Sequence, residues 1–264
     1  MDLKLADKSA LVSGSTGGIG LAIAQSLAQE GVTVIVNGRS EARVNQAITT
    51  IKAAVPNAKL VGVAADLSTP AGAEQLFQQF ATVDILINNL GVYEPKAFAD
   101  ISDDDWRKIF EANVLSGVRL SRQYLPGMLE RNWGRIIFIS SESGVQIPAE
   151  MIHYGVTKTA QLAIARGLAE TTVGSGVTVN SVLPGPTRSE GVEAFVEKMA
   201  SDRGVDAAQI EKEFFESVRP SSLIKRFATT EEVAALVTYV ASPLSSATNG
   251  AALRVDGGVV RSIV

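Results

Sequence analysis

Residues 9–20 read Ser-Ala-Leu-Val-Ser-Gly-Ser-Thr-Gly-Gly-Ile-Gly, and this stretch decides the fold. Its beginning, from Ser9 to Ser13, is a short apolar run that stops at a glycine, as a buried strand of a parallel sheet does. Apolar residues at helical spacing follow the last glycine: Leu21, Ala22, Ile23, Leu27 and Ala28. The pattern therefore predicts a strand, a glycine-rich turn and a helix in direct succession.

The glycine-rich turn is a candidate site for a pyrophosphate. Without side chains, the backbone can approach a ligand closely, and the start of the helix offers free N–H groups and a positive dipole end. Glycines can also simply make a tight turn. The position of Gly14, Gly18 and Gly20 directly between a strand and a helix favours the ligand-binding interpretation.

The rest of the chain repeats the alternation of short apolar runs and amphipathic helices. Further strands are predicted at 32–36, 59–64, 83–87, 134–141, 177–183 and 251–255. Such alternation indicates a parallel sheet with right-handed crossovers. No linker interrupts it, so a single domain over residues 1–264 is expected. Only at about 188–226 does the pattern change, to polar amphipathic stretches that predict a helical lid over the substrate.

The composition excludes several classes of function. The chain has 264 residues, a net charge of −4, no cysteine and one histidine. The charge argues against a nucleic-acid partner. The missing cysteines exclude disulfides, thiol catalysis and zinc–thiolate sites, and one histidine cannot form a metal cluster, so no metal is expected. Because the N-terminus lacks a signal-peptide core and no apolar run could span a bilayer, we expect a cytoplasmic protein without a membrane partner.

The end of the second strand indicates which dinucleotide is preferred. There the chain reads Asn37-Gly-Arg39-Ser40, and no carboxylate occurs before Glu41. In dinucleotide sites a carboxylate at this point binds the 2′-hydroxyl of NAD, whereas an arginine accommodates the 2′-phosphate of NADP. Arg39 therefore predicts a preference for NADP(H). NAD(H) remains the alternative if Arg39 is only a solvated loop residue.

Asn113 lies inside a predicted helix that begins near Ser102. Asparagine is a poor residue in a helix interior because its amide competes for backbone hydrogen bonds. At such a position it either contacts a neighbouring loop or marks a kink that frees a carbonyl group.

Tyr154 and Lys158 stand four positions apart and therefore share one face of a helix. A tyrosine titrates at about 10 in water. A fixed cation nearby favours the phenolate and lowers this pKa, as would an oxidised nicotinamide ring, so the pair can make a general acid or base. Taken alone, the pair is more typical of a half-buried ring beside a solvated ammonium group.

Together these features resemble the short-chain dehydrogenase/reductase family, in its single-domain form and over essentially the whole chain. The matching residues are Gly14, Gly18, Gly20, Asn88, Asn89, Gly91, Asn113, Ser141, Tyr154, Lys158, Pro184 and Gly185. The resemblance implies an α/β fold with a single Rossmann-type, doubly wound, seven-stranded parallel sheet, helices on both faces and the lid at about 188–226. In general look the chain is most similar to bacterial β-ketoacyl carrier-protein reductases and polyol dehydrogenases.

The resemblance also implies roles for the matching residues. Tyr154 would exchange a proton with the substrate oxygen, which Ser141 would bind. Lys158 would lower the pKa of Tyr154 and hold the nicotinamide ribose, and Asn113 would keep a water molecule that connects Lys158 to solvent. The expected cofactor-binding residues are Gly14, Ser15, Gly18, Ile19, Gly20, Arg39, Asp66, Leu67, Asn89, Gly91, Tyr154, Lys158, Pro184, Gly185 and Thr187.

The implied activity is NADP(H)-dependent hydride transfer between nicotinamide and a small-molecule carbonyl or secondary alcohol. The alternatives are a β-ketoacyl-(acyl carrier protein) reductase, with that carrier as partner, and an NAD-dependent polyol or sugar dehydrogenase. A nucleotide-binding regulator without turnover is disfavoured, because the residues for proton transfer are present. Family members are commonly homotetramers, and the apolar ending at residues 259–264 would suit a contact between subunits.

Overall fold

The computed structural model describes residues 2–263. The strands are β1 Ser9–Val12, β2 Thr33–Gly38, β3 Leu60–Ala64, β4 Ile85–Asn88, β5 Gly134–Ile139, β6 Val177–Pro184, β7 Thr187–Arg188, β8 Ala228–Thr229 and β9 Ala252–Val255. Seven of them form one parallel sheet in the order β3-β2-β1-β4-β5-β6-β9, while β7 and β8 pair separately. The predicted seven-stranded parallel sheet is confirmed.

The α-helices are α1 Gly18–Gln29, α2 Glu41–Ala54, α3 Pro70–Gln79, α4 Asp103–Phe110, α5 Ser116–Glu130, α6 Ile152–Glu170, α7 Glu190–Arg203, α8 Ala207–Glu213 and α9 Thr230–Ala241. Two π-helical turns, Glu111–Leu115 and Phe214–Val218, follow α4 and α8 directly. Short 3₁₀ turns occur at Phe98–Asp100, Glu142–Gly144, Ala149–Met151 and Pro243–Ser245. Within residues 2–263, none of the helices is long and apolar enough to cross a bilayer.

The strand order reverses between β1 and β4. The chain enters at β1 in the middle of the sheet, runs outward to β3, and then returns to add β4 on the other side of β1. In the register between these two strands, Ala10 is opposite Ile85 and Val12 is opposite Ile87. Loops that leave such a reversal point diverge to opposite faces, which opens a crevice at the carboxyl ends of the strands.

Helices cover both faces of the sheet, as predicted. Successive strand residues point to opposite faces, so Val34 and Val36 pack in one core layer and Ile35 packs in the other. The first layer includes buried residues of α1, α2 and α9, and the second includes residues of α3, α5 and α6. Both faces are apolar, which is why the strands read as continuous apolar runs rather than as alternating patterns.

Residues 188–226, called the lid segment below, are mainly helical. Ser189 caps α7 by accepting a hydrogen bond from the Val192 N–H at 3.5 Å, and Gly204 ends the helix with a φ of +66°. A small apolar cluster of its own holds α7 and α8 together, with Val196, Ala200, Ile210, Phe215 and Phe227 as its buried members. The segment is therefore a packed unit on one side of the crevice.

The apolar C-terminal stretch is covered in part by its own chain. Val259 and Val260 are buried within their own chain, and the Val260 N–H donates to the Asp256 carboxylate at 2.9 Å. These valines therefore need no partner subunit to cover them. Ile263 is 99% exposed, and Val264 lies outside the described residues.

Candidate active site

The turn between β1 and α1 has a conformation that requires glycine. Gly14 and Gly18 adopt φ values of +63° and +53°, in the left-handed region. A Cβ atom on Gly20 would lie 2.5 Å from the Gly14 carbonyl oxygen and 2.5 Å from Nδ2 of Asn89. No side chain caps the start of α1 at Gly17. The turn therefore presents bare backbone and a helix N-terminus to the crevice, which fits the pyrophosphate of a dinucleotide.

Ser15 supports this turn from inside and does not line the crevice. Its side chain has no exposed surface, and its Oγ donates to the Val12 carbonyl at 2.7 Å while accepting from the Asn37 N–H at 2.9 Å. The amide of Asn37 accepts from the Gly14 N–H at 3.1 Å and donates to the Ala65 carbonyl at 3.0 Å. Any contact of Ser15 with a cofactor would therefore be made by its backbone, and Asn37 is a supporting residue that the sequence did not single out.

Asn89 and Gly91 connect the glycine-rich turn to the reaction end of the crevice. Asn89 donates through Nδ2 to the carbonyl oxygens of Ser13 and Gly14, at 2.9 and 3.0 Å. Gly91 is exposed, and a Cβ atom there would lie 3.4 Å from Nζ of Lys158. A residue at this position must be small if the crevice is to stay open beside Lys158.

The residues expected at the adenosine end divide into two groups. Arg39 is exposed at the end of β2, and the Asp66 carboxylate, at the end of β3, accepts hydrogen bonds from Ser68. Leu67, by contrast, is 1% exposed and packs in the second core layer. Almost none of its surface is accessible, and its contact with the adenine stays a prediction.

A second arginine, Arg43, lies in the first turn of α2, four positions after Arg39. Its Nη2 lies 3.3 Å from the Thr16 carbonyl oxygen and 3.8 Å from the carboxylate of Glu190 at the start of α7. The guanidinium group therefore lies against the rim of the glycine-rich turn. Its closeness in the sequence to Arg39, just after the predicted strand, was the signal that could have identified it.

Asn113 lies in the π-helical turn between α4 and α5. Its Oδ1 accepts from the Val92 N–H at 2.7 Å, and its Nδ2 donates to the Val92 carbonyl at 2.9 Å and to Oγ1 of Thr157 at 3.0 Å. The side chain thus joins the loop after β4 to helix α6. The backbone carbonyl of Asn113 is also used across the site, because it accepts from Nε2 of Gln161 at 2.6 Å. Both readings of a mid-helix asparagine, the loop contact and the freed carbonyl, apply here.

Lys158 is buried in α6 and held by two acceptors. Its Nζ donates to the Ile139 carbonyl at 2.8 Å and to Oε1 of Gln161 at 3.2 Å. Burial lowers the pKa of Lys158 to about 7, although the nearby Glu142 carboxylate works in the opposite direction. Gln161 therefore links Lys158 to the Asn113 carbonyl. Its position one turn after Lys158, on the same helix face, was the signal for it.

The pKa of Tyr154 is shifted upward, against the expectation. Tyr154 is partly buried, and this burial raises the pKa of its hydroxyl more than the hydrogen bond with Ser141 lowers it. The Lys158 ammonium nitrogen lies 5.6 Å from the centre of the ring. Burial also lowers the pKa of Lys158 to about 7, so its ammonium form is only partly populated at neutral pH.

Ser141 faces the candidate site, and Ser140 does not. The Ser140 hydroxyl donates to the Lys158 carbonyl at 2.8 Å, on the side of α6. The Ser141 hydroxyl donates to the Glu142 carboxylate and accepts from the Ser143 N–H at 3.1 Å. Glu142 follows Ser141 in the sequence but was not identified from it, because a buried carboxylate is unexpected without a known partner.

The end of β6 carries the last group of expected residues. The Thr187 hydroxyl donates to the Gly185 carbonyl at 2.9 Å, and Thr187 is buried. A Cβ atom on Gly185 would lie 2.5 Å from the Asp256 carbonyl oxygen, so Gly185 allows the chain after Pro184 to approach the loop after β9. Gly14, Asn89, Ser141 and Gly185 thus follow the carboxyl ends of the inner strands β1, β4, β5 and β6.

Comparison with known proteins gives a consistent result. Residues 8–200 match the family model described as short chain dehydrogenase. An uncharacterized oxidoreductase of Bacillus subtilis (strain 168), YvaG, is 51% identical over 263 residues, which cover 100% of both chains. The D-beta-hydroxybutyrate dehydrogenase of Cupriavidus necator is 34% identical over 257 residues, or 96% of this chain and 98% of the relative. The crystal structure of L-sorbose reductase from Gluconobacter frateurii, complexed with NADPH and L-sorbose, superposes with a TM-score of 0.92 over 100% of both chains, at 30% identity.

Proposed function

We propose that this chain, which belongs to the short-chain dehydrogenase family, is an NADP(H)-dependent oxidoreductase that interconverts a carbonyl group and a secondary alcohol. The membership makes it a dehydrogenase or reductase acting on CH–OH or carbonyl groups. One observation carries the proposal. Ser141, Tyr154 and Lys158 lie close together at the carboxyl edge of the sheet, next to the glycine-rich turn.

The cofactor assignment is supported by the chemistry at the two ends of the crevice. The glycine-rich turn has the free backbone and the helix N-terminus that a pyrophosphate needs. Arg39 and Arg43 offer guanidinium groups at the rim where a 2′-phosphate would be recognised. The L-sorbose reductase that resembles this chain binds NADPH. We therefore propose NADP(H) over NAD(H).

When bound, the nicotinamide supplies or accepts the hydride. In the direction of reduction, Tyr154 donates its proton to the substrate oxygen as negative charge grows there. The raised pKa of Tyr154 keeps the phenol protonated at neutral pH, which suits this direction. Ser141 stabilises the same oxygen by a hydrogen bond, for which its hydroxyl has to turn away from Glu142.

Lys158 is suited to restore the proton of Tyr154. With a pKa of about 7, its amine gains and loses a proton readily at working pH. The Ile139 carbonyl and Gln161 fix its position. Gln161 is in turn fixed by the Asn113 carbonyl, so the π-helical turn, α6 and β5 together hold the amine beside the tyrosine ring.

The test is the consumption of NADPH, followed by absorbance, with a panel of uncharged, hydroxylated and acyl-thioester ketones. We expect turnover with at least one ketone, and a loss of at least about 100-fold in kcat for Tyr154→Phe, which removes only the hydroxyl. Tyr93→Phe is the matched control, because the Tyr93 ring lies 6.2 Å from the Tyr154 ring and is largely exposed. Equal activity of Tyr154→Phe and the control would reject the assignment of Tyr154.

A further inference from the structure

A buried ion pair joins the lid segment to the residue after Ser141. Nε of Arg219 donates to Oε1 of Glu142 at 3.2 Å, and the two side chains are only 12% and 7% exposed. Nη1 of the same arginine lies 3.1 Å from the carboxylate of Glu150, which is about half exposed. Arg219 directly follows the π-helical turn Phe214–Val218, so it is the point where the lid segment reaches the site.

The second carboxylate oxygen of Glu142 binds the Ser141 hydroxyl, which the proposed mechanism needs for the substrate oxygen. Oε2 accepts from the Ser141 hydroxyl and from the Ser143 N–H at 2.8 Å. A serine has one hydroxyl proton, so while Ser141 donates it to Glu142 it cannot donate it to a substrate oxygen. A carboxylate holds such a proton strongly, and a cation on its other oxygen weakens that hold.

We propose that Arg219 is a positioning residue: it fastens the lid segment over the site and, by pairing with Glu142, weakens the hydrogen bond that Ser141 donates to Glu142, so that a substrate oxygen can take over the Ser141 hydroxyl. The proposal rests on the proposed function, in which Ser141 binds that oxygen. It makes the lid segment part of the chemistry, because only the closed segment brings the guanidinium group to Glu142. With the segment open, the unpaired carboxylate would retain the Ser141 proton.

Four variants separate this role from simple packing. Arg219→Gln leaves a buried carboxylate without its cation, and we expect kcat to fall by about tenfold or more. Glu142→Gln keeps the shape and removes the charge, so kcat should stay within about threefold of the wild type. The double variant E142Q/R219Q should recover most of the loss caused by R219Q. Glu150→Gln is the matched control, since Glu150 contacts the same guanidinium group but not Ser141, and its kcat should not change.

The pH dependence of kcat tests the role of Arg219 further, because a purely structural role of this residue would leave that dependence unchanged. Tyr154 is faced by Glu142 from the turn after β5, by Tyr93 from the loop after β4, by Lys158 from its own helix and by Arg219 from the lid segment. Glu142 and Tyr93 raise the pKa of Tyr154, and Arg219 lowers it. In alcohol oxidation, where Tyr154 must lose its proton, the acid limb should therefore move to higher pH in R219Q and to lower pH in E142Q.

Hydrogen exchange measured without a substrate tests the role of Arg219 separately from the proposed oxidoreductase activity. With NADPH present, hydrogen exchange of the backbone amides at 214–219 should be faster in R219Q and E142Q than in E150Q, because both break the ion pair. If wild-type protein turns over no ketone, the proposed function fails, and this exchange still decides whether Arg219 fastens the lid segment. Unchanged exchange, or a loss in R219Q that persists in the double variant, would overturn the role of Arg219.

Discussion

Replacing Lys158 with methionine should stabilise the protein, and the gain should be larger in mild acid than in mild base. Lys158 is buried, and its ammonium form is bound only by the Ile139 carbonyl and the Gln161 side chain. Burial lowers the pKa of Lys158 from 10.5 to about 7. Methionine fills a similar volume and has no charge to bury, although it leaves the two acceptors without their donor.

The sign and size follow from the two pKa values. As the pH falls below 10.5, the unfolded chain takes up a proton that the folded chain does not, so stability falls by about 1.4 kcal/mol per pH unit until the folded pKa of about 7. Below that value both states are protonated, and the cost stays constant at about 5 kcal/mol. Between about pH 9 and about pH 6, the advantage of Lys158→Met over the wild type should therefore grow by about 2 to 3 kcal/mol. In Lys158→Met, the loss of the hydrogen bonds to Ile139 and Gln161 changes the free energy of unfolding by the same amount at every pH, so it does not alter the pH dependence of the difference.

Equilibrium unfolding in urea at a series of pH values, at one protein concentration, measures this difference directly. Other titrating groups are the same in both proteins and cancel when the two free energies of unfolding are subtracted. Lys52→Met is the matched control, because Lys52 is exposed on α2, and its difference from the wild type should not depend on pH. If the Lys158→Met difference also stays constant, to within about 0.5 kcal/mol, the amine keeps its solution pKa and the reasoning from burial is refuted.

Three further predictions concern the cofactor and the support of Lys158. Gly20→Ala would place a Cβ atom 2.5 Å from Nδ2 of Asn89 and should weaken NADPH binding by at least about tenfold in a fluorescence titration. Gly167→Ala is the control: its Cβ atom would meet nothing within 4 Å, so NADPH binding should not change. Arg39→Asp should shift the ratio of NADPH to NADH affinity toward NADH by at least about tenfold; an unchanged ratio would contradict the role of Arg39. Gln161→Leu should lower kcat by about tenfold in steady-state assays without changing NADPH affinity, and a normal kcat would show that the bridge from Lys158 is not used.

Much of the fold could be predicted because its signals are local. Each strand of the parallel sheet is buried on both faces, so it reads as an apolar run, and the glycine-rich turn between β1 and α1 stands out against it. The spacing of Tyr154 and Lys158 on one helix face is local too. The resemblance built on these residues then added Asn113 and Ser141 to the candidate site.

The remaining features depend on contacts between distant parts of the chain. Arg219 and Glu142 are 77 positions apart, and no periodicity connects them. The direction of the Tyr154 pKa shift depends on how deeply the phenol and Lys158 are buried, which the sequence does not give. The apolar run at Val259 shows that a surface must be covered, but it does not tell whether the same chain or a second subunit covers it.

The hydrogen bonds from the Asn113 amide to Val92 and Thr157 form a clamp, and this clamp has a consequence for how such an enzyme can diverge in evolution. It fixes Val92, through both backbone groups, to the helix that carries Tyr154, whereas residues 93–95 beyond the clamp are exposed. Insertions and substitutions beyond Val92 can therefore reshape the mouth of the crevice while the proton donor stays in place. Tyr93 packs against the Tyr154 ring, so substitutions at residues 94 and 95 are the ones that should change substrate preference with the least effect on turnover.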